Sequence, residues 1–442
     1  MMTKKTLLLL FSFIFCLQGF AQTSSWSNPG EVKRVQCNIE KYRKGDATIT
    51  IVDKNGKPLR NATVIIQQQT HEFLFGSNLF VLHQLATPEL NQKYESAFTH
   101  LFNFATIPFY WRELEPQQNH LRFKEGSDSI WRRPPPDELV KWCKAHGIVI
   151  KGHQLLYVKR KFMPDWISAN DSNKLKALAG KRMTQLAERY GYDVSIWDAV
   201  NEEMARIAKP SQWDAVPHDF LSWAFKKADS LFPKRSQLII NDETKTSHYS
   251  TQDYVDMVNG LLKQNIRLDG IGIQFHMLQP DKFLKGEVYT PQIMHDAYKK
   301  LGNFGKPLWI TEITIPTHGE TGLQDQATIV SDIYKLWFSE PQMKGITWWN
   351  LGDGTAFGAE NNFHGGLLDS AMNPKPSYKV LDQLINHDWK TNITLKTDAD
   401  GIVNFRGFHG KYSIQVKKGN KSQKYNFQLP SNVKVSKATF KL

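Results

Sequence analysis

Cysteine is nearly missing from this chain: Cys16, Cys37 and Cys143 are the three among 442 residues. Loss of an N-terminal leader would leave two, which excludes a disulfide scaffold while permitting one bridge in an oxidising compartment. No Cys or His pair has zinc-type spacing, so no metal is expected. Long apolar runs are missing as well. Beyond the N-terminus nothing approaches 18 uninterrupted apolar residues, and no membrane span is expected. No Gly-x-Gly-x-x-Gly follows the first central strand, which weakens a dinucleotide-binding reading. No basic stripe with interleaved aromatics is present either, so no nucleic-acid partner is expected.

What is present is an ordinary globular mix, 40% hydrophobic and 22% charged, which excludes a mainly disordered or fibrous chain. The net charge of +13 suggests acidic partners until it is divided along the sequence. Residues 22–72 hold eight Lys/Arg against five Asp/Glu, and residues 389–442 hold eleven against two. The stretch between them is close to neutral. Lysines spread along alternating strands read first as a solvated face, and second as a contact for acidic polysaccharide or the cell envelope.

Residues 1–21 form a separate piece. Lys4 and Lys5 precede an apolar run, Leu7 to Leu17, and Gly19 and Ala21 suggest cleavage before Gln22. The run is too short to span a bilayer, so it reads as a signal peptide, with a secreted or periplasmic product. Ile14 and Phe15 before Cys16 fit a lipoprotein box poorly. Residues 22–72 and 389–442 read as β segments. Ile49 and Ile51, the turn Asp53-Lys54-Asn55-Gly56, and Val64 to Ile66 give a hairpin signal. Asp400-Gly401, Gly410-Lys411 and Gly419-Asn420 divide short alternating runs at the far end. The two segments are expected to pair into one small sandwich-like accessory module; two separate sheets are the alternative.

Residues 73–388 alternate strand and helix. Strands are expected at Phe73–Phe80, Phe102–Tyr110, Ile148–Tyr157, Val194–Asn201, Gln237–Asp242, Gly270–His276, Leu308–Ile313 and Gly345–Asn350. Thr87-Pro88-Glu89 and Pro136-Asp137-Glu138 start helices, and Gly147, Gly191 and Gly260 stand where helices should stop. Eight such units fit the α/β class as a (β/α)8 TIM barrel.

In that architecture chemistry sits at the C-terminal ends of the strands. The polar residues ending these strands include His153, Asn201, Glu202, Asn241, Asp242, Gln274, His276, Glu312 and Trp349. Glu202 closes the fourth strand and Glu312 the seventh. A carboxylate ending an apolar strand is costly to bury unless it is paired. Two of them at one rim are expected to face one cavity, at the separation of about 5–5.5 Å used for retaining glycoside hydrolysis.

These residues carry a resemblance. Trp197-Asp198-Ala199-Val200-Asn201-Glu202 and Ile310-Thr311-Glu312-Ile313 resemble the acid/base and nucleophile motifs of glycoside hydrolase family 10, the xylanase family. Lys151-Gly152-His153, Ile271-Gly272-Ile273-Gln274-Phe275-His276, Trp348-Trp349 and Asn373-Pro374-Lys375-Pro376-Ser377-Tyr378 resemble further motifs of that family, in order. The resemblance implies Glu312 as nucleophile and Glu202 as acid and then base. It implies Asn201 on the sugar 2-hydroxyl, His276 with Gln274 orienting Glu312, His153 holding a sugar hydroxyl and Trp349 as an apolar floor. Asn241 reads as a shape-setting neighbour or a direct substrate contact. Glu203 is expected in the first helical turn. No cofactor is implied; the implied partner is a polysaccharide or oligosaccharide.

The sequence also departs from the family. Where the second strand usually reads Glu-Asn-x-Met-Lys, this chain has Thr106-Ile107-Pro108-Phe109-Tyr110-Trp111. After His153 the usual Leu-Val-Trp-His is replaced by Leu155-Leu156-Tyr157-Val158, followed by Lys159-Arg160-Lys161. Phe357 is the nearest candidate for a second tryptophan in the last loop. Lys159 and its neighbours, with Arg132 and Arg133, are placed to meet a uronate or sulfate, or to form a solvated basic loop. A xylan-cleaving β-glycanase leads. An exo-acting or differently specific β-glycosidase and a non-catalytic glycan-binding barrel stay open.

Overall fold

The computed structural model describes residues 25–167, 171–208, 216–244 and 251–442. The signal peptide expected over residues 1–21 lies outside the described residues. Fifteen strands occur in them: β1 Lys44–Val52, β2 Thr63–His71, β3 Leu74–Asn78, β4 Phe104–Pro108, β5 Val149–His153, β6 Ile196–Asn201, β7 Gln237–Glu243, β8 Gly270–His276, β9 Leu308–Thr314, β10 Met343–Trp348, β11 Asn392–Lys396, β12 Ile402–Phe408, β13 Gly410–Lys418, β14 Lys421–Leu429 and β15 Val435–Lys441.

β3 to β10 close into a barrel whose neighbours all run parallel, β10 returning to β3. Strands buried on both faces need near-continuous apolar runs, and every residue of β4, β6 and β9 is buried. The interior is layered. Near the N-terminal ends of the strands Phe104, Ile196, Ile239 and Trp309 form an apolar plug, with Leu74 and Val149 against it. Gly345 makes room for this plug: a Cβ there would meet the Trp309 ring at 2.7 Å. Above it lies a polar layer, where Lys151 and Asp198 are fully buried. Gly152, between Lys151 and His153, points the other way, and a Cβ there would meet Trp197 at 2.4 Å. The small residue lets β5 and β6 close while two polar side chains enter the barrel.

Helices cover the barrel and start where the sequence places capping residues. Thr87 accepts from Leu90 N before Pro88–Leu101, and Thr290 caps Pro291–Gly302 in the same way. Helix Pro136–Ala145 begins at its proline. Gly147 has the expected positive φ of 65°. Gly191 ends helix Ser172–Tyr190 in a right-handed conformation, and Gly260 lies inside helix Thr251–Lys263. There the apolar stripe, with Tyr254, Val258 and Leu261 buried, carries the helix past its glycine.

The two chain ends build one sandwich. β12-β1-β15 faces β11-β2-β13-β14, with Ile49, Ile51, Val64, Ile66, Phe405 and Ile414 in the shared core. The Asp53–Gly56 turn forms, with Asp53 Oδ1 accepting from Asn55 N at 2.8 Å. The strands it joins enter different sheets instead of pairing as a hairpin. The N-terminal segment is also not β alone: helix Pro29–Arg43 packs along helix Gly322–Ser339. The sandwich leans on the start of β3, opposite the strand C-termini. Trp389 stacks on Phe338 at 4.1 Å, and buried Arg43 donates to the Phe338 carbonyl. Cys37 is exposed, Cys143 is buried, and both are free. Among the described residues no helix is long and apolar enough to cross a membrane.

Candidate active site

The strand C-termini surround a cavity of about 370 Å³. Eight of the nine site residues expected from sequence line it: His153, Lys159, Asn201, Glu202, Gln274, His276, Glu312 and Trp349. Their convergence follows from strand alternation. Gln274 and His276 are two residues apart on β8 and share its inward face. Register shifts in the pairing of β8 with β9 and of β6 with β7 adjust the aim of the last residues.

Glu312 is held from three directions. Its Oε1 accepts from Asn241 Nδ2 at 2.9 Å and Gln274 Nε2 at 3.2 Å, and its Oε2 accepts from His276 Nε2 at 3.2 Å. Burial pushes this carboxyl up. The His276 hydrogen bond and the positive charges of His153, His276 and Lys151 outweigh that, and hold it below the ordinary glutamate range. Asn241 is the ninth expected residue. It sits behind the cavity, fully buried, with its amide spent on Asn201 at 2.7 Å, on Glu312, and on the Thr311 hydroxyl. Its place is that of a positioning residue. Because Asn201 Oδ1 accepts from Asn241 and Gln274, its Nδ2 is the donor left for the cavity.

Glu202 is built differently. Its φ of 54° is left-handed, a conformation that costs free energy in a residue with a side chain. The turn is pinned by Glu202 N donating to the Asn241 carbonyl at 2.9 Å, and by Asp242 accepting from Met204 N at 2.8 Å. Burial raises the Asp242 carboxyl well above its usual range, and the nearby Glu202 and Glu243 charges add to this. The Glu202 carboxylate accepts from the Tyr157 hydroxyl and lies 3.7 Å from Lys159 Nζ. Burial, then the Glu202 charge, keeps Tyr157 protonated as a donor. Glu202 is 28% exposed and Glu312 is 5% exposed. Glu203 starts a short helix and pairs with Arg206 at 2.9 Å, away from the cavity.

The facing wall is aromatic and basic. His153 Nδ1 donates to Asp198 at 2.7 Å, while the Tyr110 hydroxyl lies 3.1 Å from Nε2. Lys151 bonds to the same Asp198 oxygen. Burial pushes Asp198 up, but Lys151 and His153 bring it below the ordinary aspartate range. Trp349 packs on His153 and Phe80, with centroids 5.2 and 5.3 Å away. Trp348 is fully buried in the core. Tyr157 stacks on Phe162 at 4.8 Å, and Phe162 lies 6.3 Å from Phe357. That contact joins the loop after β5 to the loop after β10 across the ends of β3 and β4. Arg132, Arg133 and Lys161 line this wall, whereas Arg160 turns to the Pro164 carbonyl. Sequence reasoning missed Phe162, Glu243 and Glu360, which belong to loops or strand ends without a periodic signal.

Among the described residues no cluster of three His, Cys, Asp or Glu side chains could hold a metal ion. Of the carboxylates that line the cavity, Glu312 and Glu202 stand in unlike surroundings, one fixed as an anion and one at a more open edge.

The chain is similar to known proteins. The chain is 25% identical over 394 residues to the anti-sigma-I factor RsgI6 of Acetivibrio thermocellus, covering 89% of this chain and 47% of that protein. It is 24% identical over 384 residues to endo-1,4-beta-xylanase 2 of Arabidopsis thaliana, covering 85% and 32%. The chain thus spans less than half the length of these curated relatives. Its fold is like that of native xylanase 10B from Thermotoga maritima, with a TM-score of 0.60, 21% identity, and 72% of this chain and 96% of that one covered. Residues 81–384 match the model of Glycosyl hydrolase family 10. That match takes in seven of the eight barrel strands, β4 to β10, and both glutamates, and the chain belongs to Glycosyl hydrolase family 10.

Proposed function

We propose that this chain is a secreted, retaining β-glycoside hydrolase that cleaves a plant-type or related polysaccharide in the manner of an endo-1,4-β-xylanase. The observation that carries the proposal is the contrast between Glu312 and Glu202 on one cavity. Glu312, kept ionised by His276 and its amide donors, attacks the anomeric carbon and forms a glycosyl-enzyme. Glu202 donates a proton to the departing glycosidic oxygen, then takes one from the water that releases the sugar. Asn201 Nδ2 donates to the sugar 2-hydroxyl, a contact that strengthens as charge develops on the ring. Trp349 gives a pyranose face an apolar floor. Export rests on the sequence of residues 1–21 alone.

An exo-acting enzyme is the second reading. The Phe162–Phe357 contact favours it, because a bridge over the ends of β3 and β4 limits how far a glycan extends on that side. A non-catalytic glycan-binding barrel is disfavoured by the fully supported carboxylate pair. Incubation of residues 22–442 with glucuronoxylan, against a Glu312→Ala control, tests these readings by product size over time. Mixed xylo-oligosaccharides absent from the control support endo cleavage. One small product supports exo action. No product from glucuronoxylan or from other β-glycans overturns the hydrolase reading.

A further inference from the structure

Among the described residues, Arg132 is a buried cation with no carboxylate in hydrogen-bonding reach. It is 2% exposed yet lines the cavity. Its side-chain bond is from Nη1 to Asn350 Oδ1 at 2.8 Å, and its Nε has no hydrogen-bond partner. Among the described residues no carboxylate lies within ion-pair distance of it. Glu360 lines the same cavity and acts on Arg132 only through its field. Arg133 stands beside it, also buried, its guanidinium 3.8 Å over the Tyr110 ring, its Nε 3.6 Å from Glu113 and without a hydrogen bond. Burial, then the neighbouring Arg133 charge, lowers the Arg132 pKa to about 10.

A cation in that position is costly unless something anionic completes it. The fold nonetheless holds it there. Arg132 has a left-handed φ of 63°, and its N donates to Gln84 Oε1 at 2.7 Å. Arg122 fixes the rest of the loop by donating to the carbonyls of Glu113, Asp128 and Arg133. On the open side Lys161 extends over the Phe162 and Phe357 rings at 4.7 and 5.9 Å. Two guanidiniums and an ammonium therefore surround the aromatic wall where a sugar packs. Planar guanidiniums suit carboxylate and sulfate oxygens, which accept two parallel hydrogen bonds.

We propose that the aromatic wall selects a sugar bearing an anionic substituent, a uronate carboxylate or a sulfate, which Arg132 and Arg133 bind and Lys161 attracts. This rests on the glycosidase reading but is separable from it. The test is titration calorimetry of the Glu312→Gln chain with three probes: acidic xylo-oligosaccharides from glucuronoxylan, the same oligosaccharides after carboxyl reduction, and sulfated xylo-oligosaccharides. Acidic or sulfated probes should bind at least tenfold tighter than the reduced one, and the stronger of the two identifies the group. Adding Arg132→Gln should shrink that preference at least tenfold, whereas Arg132→Lys should keep part of it. Lys161→Gln, at an exposed position, should shrink it two- to threefold in a chain whose folding is not at stake.

Equal binding of acidic and reduced probes overturns the proposal, as does a preference untouched by Lys161→Gln and Arg132→Lys. Cleavage of neutral glycans by the unmodified chain without any anionic preference overturns it and leaves the hydrolase reading standing. Tight acidic binding in a chain that cleaves nothing does the reverse.

Discussion

The two walls of the cavity were assembled under different rules. The wall from β6 to β9 is a closed hydrogen-bond network in which Asn241 joins Asn201 to Glu312, and Gln274 touches both. The wall from β3 to β5 and β10 is made of rings and cations, with Tyr110 on His153 and Arg133 on Tyr110. Hydrogen bonds to a carboxylate tolerate little displacement, so the first wall fixes the chemistry. Ring packing tolerates exchange of shape, so under the proposed function the second is the wall where the choice of sugar can change. The family-like motifs run unbroken through the first wall, whereas the second keeps Lys151-Gly152-His153 and Trp348-Trp349 but departs at Thr106–Trp111 and Leu155–Val158.

Breaking the first wall has the largest expected effect. Glu312→Ala should lower kcat at least about 10³-fold, since the proposed glycosyl-enzyme could not form. Glu202→Gln should cost about 10²–10⁴-fold on polysaccharide and far less on aryl glycosides whose leaving group needs no proton. Steady-state assays on both substrate types check the pair. Equal losses on both would remove Glu202 from its role as acid.

The polar layer beneath the walls comes next. Asp198→Asn leaves Lys151 buried without its anion, and urea unfolding should show a loss of about 3–5 kcal/mol. The pH dependence has a definite sign. A carboxylate held low in the folded state adds stability above its unfolded pKa of about 3.9, and that stability disappears as pH falls through the depressed folded value. The acid loss of stability should therefore be shallower in Asp198→Asn.

Smaller effects sharpen the contrast. His276→Ala removes the contact that most lowers the Glu312 carboxyl, so the acidic limb of the kcat/KM profile should move to higher pH. The loss at pH 5 should be about tenfold, the equivalent of one hydrogen bond of about 1.5 kcal/mol to a charged group. Phe162→Ala should raise KM about two- to tenfold with kcat little changed, the scale of one lost aromatic contact. A kcat effect as large as that of His276→Ala would mean the two walls are not separable.

The first wall was legible in the sequence because strands impose order. All eight barrel strands were placed by apolar runs, and alternation carried Gln274, His276 and Glu312 to one mouth. The accessory sandwich was legible from turn residues, but not which sheet each strand joins: β1 and β2 flank a real turn and still part company. The second wall was legible only as unusual residues. Arg132 and Arg133 stood out by charge, yet their positions depend on Arg122 gripping backbone carbonyls from within a loop. Arg160 carries the same charge and turns away. Loop side chains answer to tertiary contacts that no local pattern encodes.

The parallel pairing of β1 with β15 sets an order of events. Asp46 to Val52 lie beside Val435 to Lys441, so the whole barrel is threaded between two adjacent strands of one sheet. Both strands that pair with β1, β12 and β15, follow every barrel strand in the chain, so during synthesis β1 has no sheet partner until the barrel strands have been made. The barrel therefore has to find its own fold first, and the sandwich closes behind it as the last step.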